Sequence, residues 1–387
     1  MTQYEVAAYY FPQYHSDVQN NQWHGTNWTE WNLLRVATPR FPGHRQPIVP
    51  AWGYFDEADP IWAARQIDLA ADHGITTFLF DWYWYSGKPF LQGALERGFL
   101  QAPNCERLKF ALMWANHDWS NLFPTRYTNK LELLASGKVT AAEFERLADY
   151  LIEHYFSQPN YLTIEGAPFF SLYELGSFIA GLGSVEAAAE ALARFQERVR
   201  QAGFPGVHLN AILGGFQSLP GHIKVDDMQS VIAQLSFASV GSYVWIHHDD
   251  PSLHTFPRGD YAQAAASNYR TWEEQPKRLS VPYFPNVTMG WDSTPRTAQS
   301  DTYEPRGYPW LPVLEGNTPA AFQEALQRAR DFIDQHPRFP KLITINAWNE
   351  WTEGSYLLPD THSGMAYLEA VREVFGTLIS SDASLPD

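Results

Sequence analysis

The chain has 387 residues, 45% of them hydrophobic, and a formal net charge of −16 from 43 acidic against 27 basic side chains. That apolar content supports a large core and excludes disorder, while so acidic a surface repels phosphate backbones and anionic lipid, which excludes nucleic acid and a membrane surface as partners. A single cysteine, Cys105, permits neither an internal disulfide nor a Cys/His zinc site.

In chain order, residues 1–15 lack a basic n-region and a long apolar run, so they read as a first strand and not as a secretory leader. No apolar stretch approaches the ~18 residues needed to cross a bilayer, so no membrane insertion is expected. The expected location is the cytoplasm, or the periplasm or exterior if the sequence is a trimmed piece. Eight apolar or β-branched runs read as strands: Val6–Phe11, Thr76–Trp84, Lys109–Ala115, Pro168–Tyr173, Val207–Leu213, Gln234–Val244, Val281–Met289 and Leu342–Ala347. Helical patterns lie between most of them. Pro60–His73 follows Asp59-Pro60 and stops at Gly74; Thr140–Tyr155 opens with a capping box to Glu143; Ser184–Ala202 stops at Gly203; Tyr261–Glu274 and Thr318–Gln335 complete the set. Alternating strands and helices imply parallel βαβ units. Eight of them, without a GxGxxG turn after the first strand, predict an α/β fold: a single-domain (β/α)8 TIM barrel over residues 1–387. Two long connections, 12–59 and 292–317, are expected over its C-terminal face as functional loops without regular structure.

A barrel carries its site at the C-terminal strand ends. The first run leads from Tyr10 to Gln13 and His15. The second ends in Asp81, Trp82 and Trp84, the third in Trp114, Asn116, His117 and Asp118, and the fourth in Glu174. The sixth reaches Tyr243 and Trp245, the seventh Trp291 and Asp292, and the eighth Trp348, Asn349, Glu350 and Glu353. Seven of the eight ends thus pair a Trp or Tyr with a carboxylate, His, Asn or Gln. With 15 Trp and 20 Tyr in the chain, flat rings with polar tips suit the apolar faces and polar edges of sugars; the alternative for any one ring is a place in the core. Trp82, Trp114, Trp291 and Trp348 are expected as stacking walls, and Asn116, His117, Tyr243 and Asn349 as hydroxyl ligands. Glu350 and Glu353, three residues apart, share one face if the segment turns helically. Paired carboxyls perform glycosidic cleavage, one as proton donor and the other as base or nucleophile; the structural alternative is a cap or an ion pair with an arginine such as Arg45. Asp81 is a substrate-orienting carboxylate or a buried partner of His or Arg, and Glu174 a substrate contact or an N-cap. Trp23, Trp28, Glu30 and Trp31 either wall the cleft or staple the first long loop. His247, His248, Asp249 and Asp250 are adjacent, without a second His at i+4, which argues against a metal site. No cofactor is expected, and protein partners are not indicated.

The stretch Ala8-Tyr9-Tyr10-Phe11-Pro12-Gln13-Tyr14-His15, with Trp28-Thr29-Glu30-Trp31 and Phe41-Pro42-Gly43-His44, resembles the N-terminal signature of the glycoside hydrolase family 99-like, or WbsX-like, proteins of polysaccharide gene clusters. Trp114-Ala115-Asn116 with Trp119, and Ile345 through Gly354 with Tyr367-Leu368-Glu369-Ala370, match further blocks, so the resemblance spans essentially the whole chain. It implies a (β/α)8 barrel, glycan processing and an oligosaccharide or polysaccharide substrate, with an α-mannoside as the family-level expectation. In family 99 endo-α-mannosidases and mannanases the Asn-Glu-Trp-x-Glu-Gly segment supplies both catalytic carboxylates. By position, the resemblance makes Glu350 the base that deprotonates the sugar 2-hydroxyl, closing a 1,2-anhydro intermediate with retention, and Glu353 the acid and then base. The chain departs from many WbsX-like members at Asn116-His117-Asp118-Trp119, where they read Asn-Glu-Asn-Trp, and in the acidic residue of Phe80-Asp81-Trp82. Competing readings are a glycosyltransferase of surface-polysaccharide assembly and a non-catalytic carbohydrate-binding barrel.

Overall fold

The computed structural model describes residues 4–126, 132–214 and 222–376. Each of the eight apolar runs overlaps a strand: β1 (Glu5–Tyr10), β2 (Thr77–Tyr85), β3 (Lys109–Trp114), β4 (Ala167–Leu172), β5 (His208–Ile212), β6 (Ser239–Gly241), β7 (two pieces, Tyr283–Phe284 and Asn286–Thr288) and β8 (Leu342–Asn346). They pair in parallel, in sequence order. The first piece of β7 pairs with β6 (Val240 opposite Tyr283), the second with β8 (Val287 opposite Ile345), and β8 pairs with β1 (Ala7 opposite Thr344). The ring therefore closes through β7, which changes partner at Pro285, a residue with no N–H for the ladder.

The helices are α1 (Val18–His24), α2 (Trp31–Val36), α3 (Pro60–Asp72), α4 (Ala141–Leu151), α5 (Leu175–Leu182), α6 (Val185–Gln201), α7 (Met228–Gln234), α8 (Tyr261–Arg278), α9 (Pro319–Gln335) and α10 (Ala366–Phe375). The start signals act as expected. Asp59 accepts from the Ile61 N–H at 2.8 Å ahead of Pro60, and Thr140 and Glu143 form the capping box of α4. Three expectations need correction. The connection 12–59 holds two helices, α1 capped by Asp17, so it is not irregular throughout. Residues 228–234 are helix α7, its Val231 and Ile232 buried on one face; the sixth strand is only three residues long. α8 continues past Glu274 through Pro276 to Arg278. Between β2 and β3 the helical layer is made of the short turns Ala94–Gly98, Phe99–Gln101 and Cys105–Arg107.

One hydrophobic cluster joins the ring and its helices. Along β2 the pleat alternates. Phe78 and Phe80 meet Phe99 outside the ring, Trp82 and Trp84 meet Tyr150, and Asp81 and Tyr83 face the cleft at the barrel mouth. Among the described residues no single helix is long and apolar enough to cross a membrane.

Candidate active site

The segment leaving β8 turns through a single tight 3-10 turn, Trp351–Glu353, closed by Gly354 in the left-handed region at φ 64°. That turn brings Glu350 and Glu353 to one side, where both meet one guanidinium. Arg296 Nη2 donates to Glu350 Oε2 at 3.1 Å, and Arg296 Nη1 donates to Glu353 Oε1. The same arginine holds Glu30 from the first long loop, through Nη2 at 3.1 Å and Nε at 3.3 Å, and Thr352 donates its hydroxyl to that carboxylate. Tyr308 accepts from Arg296 Nη1 at 2.7 Å and donates to Glu353 Oε1 at 2.9 Å. All five guanidinium N–H groups are thereby directed to carboxylates or to Tyr308. Glu30, Arg296, Glu350 and Glu353 are all at least 95% buried.

Opposite this cluster, the Tyr243 hydroxyl lies 2.8 Å from Asp81 Oδ2 and 3.0 Å from Glu350 Oε1. Burial raises the Glu350 and Glu353 carboxyls above the usual range. At Glu350 the neighbouring Glu353 charge adds to this, and at both Arg296 opposes it. Burial also raises Asp81 well above the usual range, against the Tyr243 contact. These groups line a cleft, partly open to solvent, walled by Tyr83, Trp119, Tyr173, Trp291 and the apolar Met113 and Ile246. His247 also lines it; burial lowers its pKa to about 3, so its imidazole is neutral.

Of the predicted residues, Asp81, His117, Asp118, Tyr243, Trp291, Glu350 and Glu353 line this cleft. The others hold the scaffold. Four expected tryptophans face outward, because alternation along a strand turns every second side chain to the helices. Trp82 contacts Tyr150 and donates to Tyr155, and Trp84 lies beside it; Trp114 packs on Phe144 and Phe178; Trp348 donates to Gln66 at 2.8 Å. Trp245 stacks against Tyr261 and donates to the Asn286 carbonyl, and Tyr10 lies outside against Phe78 and Phe80. Gln13 accepts from Asn20 at 2.9 Å, and His15 is paired with Glu57 at 2.9 Å. Asn349 clamps the Phe11 backbone through both ends of its amide. Asn116 does the same for Glu174, whose carboxylate is taken by His222 at 2.8 Å. Asp292 holds His44 at 2.8 Å and Gln46 at 2.7 Å, tying the first long loop to the β7 end. Arg45 pairs with Asp360 and not with either catalytic candidate. Among the described residues no group of three or more His, Cys, Asp or Glu is placed to hold a metal ion.

The sequence reading missed Arg296, Tyr308, Tyr83, Tyr173 and Trp119 as cleft residues and left Glu30 undecided. Tyr83 was readable by alternation from Asp81. Arg296 and Tyr308 lie in the 292–317 connection, where no periodic pattern marks them.

The family described as "Glycosyltransferase WbsX" matches residues 6–371. An uncharacterized protein, WxcX, of Xanthomonas campestris pv. campestris (strain B100) is 27% identical over 371 residues; the alignment covers 95% of this chain and 49% of WxcX, so the chain spans about half the length of this curated relative. The fold is similar to that of the GH99 endo-alpha-mannosidase from Bacteroides thetaiotaomicron, with a TM-score of 0.56, 13% identity, and coverage of 95% of this chain and 96% of that one. It is also similar to a glycoside hydrolase-like protein, with a TM-score of 0.57, 14% identity, and coverage of 97% and 94%.

Proposed function

The chain belongs to the WbsX family, and on that premise we propose that it is a retaining glycoside hydrolase that cleaves an oligosaccharide or polysaccharide, with Glu350 and Glu353 as its catalytic pair. The observation that carries this reading is the buried Arg296 bridge, which holds two carboxyls three residues apart against one wall of an aromatic cleft. Glycosidic cleavage needs one carboxyl that can donate a proton at neutral pH and one that accepts it. Burial raises both carboxyls, with the Glu353 charge adding to the rise at Glu350 and the Glu30 charge at Glu353, while Arg296 opposes it at both.

By the family resemblance, Glu350 deprotonates the sugar 2-hydroxyl as that oxygen closes on the anomeric carbon. Glu353 protonates the departing oxygen and then deprotonates the water that attacks the anomeric carbon, the anhydro bond breaking as Glu350 returns its proton to the 2-oxygen, and an α-mannoside is the first substrate to try. A transferase using a nucleotide-diphosphate sugar is the competing reading that the family's description favours. The engagement of every Arg296 N–H by carboxylates and Tyr308 favours hydrolysis, because that cation has no donor left for a diphosphate.

The test is a glycan-release and aryl-glycoside screen run beside a nucleotide-sugar screen, with wild type, Glu350→Gln and Glu353→Gln. Wild type is expected to release sugar, and both variants to lose roughly 10³-fold or more in kcat/KM. Glu353→Gln recovers on substrates whose leaving group needs no protonation, and Glu350→Gln does not. Turnover of nucleotide sugars alone would put the transferase in its place.

A further inference from the structure

The Tyr243 hydroxyl has one hydrogen and two carboxyl oxygens beside it, Asp81 Oδ2 at 2.8 Å and Glu350 Oε1 at 3.0 Å. A single phenol hydrogen cannot fill both contacts, and its pKa is pushed well above the ordinary phenol value by burial and by these same carboxylates, so the hydroxyl keeps its proton. Two ionised carboxylates would leave one of the contacts as oxygen against oxygen with no hydrogen between them. One of the two acids must therefore carry a proton and donate it to the tyrosine oxygen. The choice between them follows from their other partners. Glu350 receives Arg296 on its second oxygen, whereas Asp81 is at least 95% buried and its Oδ1 has no hydrogen-bond partner among the described residues. The groups facing Asp81 are Tyr9 from β1, Tyr83 from β2 itself, Tyr173 beyond β4, Tyr243 beyond β6, Arg296 beyond β7, and Glu350 and Glu353 beyond β8; its partner on β3 is Met113. The one cation in that set is spent on the other carboxylates.

The geometry points to Asp81 as a neutral carboxylic acid that donates to Tyr243, so that the tyrosine's own hydrogen is committed to an ionised Glu350. Asp81 is thus a positioning residue: acting through Tyr243, it fixes the direction of the hydrogen bond that keeps Glu350 ionised and ready to accept a proton. This rests on Glu350 being the base in the proposed reaction. Ionisation of Asp81 at alkaline pH reverses the arrangement, since two anions then compete for one hydrogen. An amide at position 81 keeps a donor at the same place and cannot ionise.

The experiment is infrared difference spectroscopy on the resting protein, with 13C-labelled aspartate, comparing wild type with Asp81→Asn and Tyr243→Phe. The expected result is the carbonyl band of a protonated acid at neutral pH, absent in Asp81→Asn and displaced in Tyr243→Phe, where its acceptor is gone. A carboxylate band at position 81 with no protonated-acid band would overturn the proposal, whatever the enzyme hydrolyses. On any glycoside that wild type cleaves, Asp81→Asn is expected to lose less than about tenfold in kcat/KM and to extend activity to more alkaline pH, whereas Asp81→Ala loses roughly 100-fold. If Asp81→Asn is as inactive as Glu350→Gln, Asp81 works as an ion and the proposal falls. If no glycoside is cleaved, the hydrolase reading fails separately and the spectrum still decides the state of Asp81.

Discussion

Arg296 is the residue on which the cleft's charge balance turns. It lies between Glu30, Glu350 and Glu353, with Phe11 and Phe123 rings about the guanidinium at 5.1 and 4.9 Å. Desolvating such a cluster is expensive, and only the mutual attraction of its members offsets that. Removing the cation leaves three buried carboxyls facing one another, so Arg296→Leu is expected to lower stability by about 3–5 kcal/mol and to abolish activity. The sign of its pH dependence follows from the carboxyls. Without the arginine the folded protein holds protons that the unfolded chain releases above its ordinary carboxylate pKa, so the stability of the variant falls as pH rises through that window. Urea unfolding at acidic and at mildly alkaline pH checks this: the gap from wild type should widen with pH, and a gap independent of pH would mean that Arg296 acts by packing alone.

At the scale of elements, the site is made where strands end and loops are pinned to one another. Gly354 closes the β8 turn at φ 64°, and a Cβ there would stand 2.7 Å from the Asp292 Cβ and 2.9 Å from the Asp292 backbone nitrogen. Asp292 cannot yield freely, because its N–H donates to the Glu353 carbonyl at 2.6 Å and its carboxylate holds His44 and Gln46. Gly354→Ala is therefore expected to cost about 1–3 kcal/mol and to displace Glu353 itself. A shift of ~1 Å in a catalytic group lowers kcat by ~10²-fold. Thermal unfolding together with kcat would show it; a variant of wild-type rate would mean that the β8 and β7 ends tolerate sliding past each other. The first long loop enters the site by the same logic, with Glu30 at the head of α2 and His44 on Asp292. It is tied to the cleft through Arg296 and Asp292, which hold Glu30 and His44.

Across the whole molecule, the ring closes only when β7 has found β6 with one piece and β8 with the other, and the hydrophobic cluster runs unbroken from the strands into the helices. Among the described residues no element has a core of its own on which to remain folded. A single cooperative transition is expected, with tryptophan fluorescence and far-ultraviolet circular dichroism coincident in urea. Separated curves would show that part of the ring opens independently.

What the sequence by itself determined is the periodic and the local. The eight strand positions, the caps at Asp59 and Thr140, the helix starts at Ser184 and Thr318, and the Glu350–Glu353 spacing are all written within a few neighbouring residues, and they are found in place apart from the sixth strand, which is cut back to Ser239–Gly241. The tertiary structure alone decided which strand-end residues face the cleft and which charge meets which. Trp82 and Asp81 are adjacent in sequence yet on opposite sides of the ring, because the pleat assigns sides and only closure says which side is the inside. Arg296 meets Glu30 across 266 positions and Glu350 across 54. Such a pairing has no signature in local pattern, since it is the closure of the barrel that brings the loops over its mouth within reach of one another.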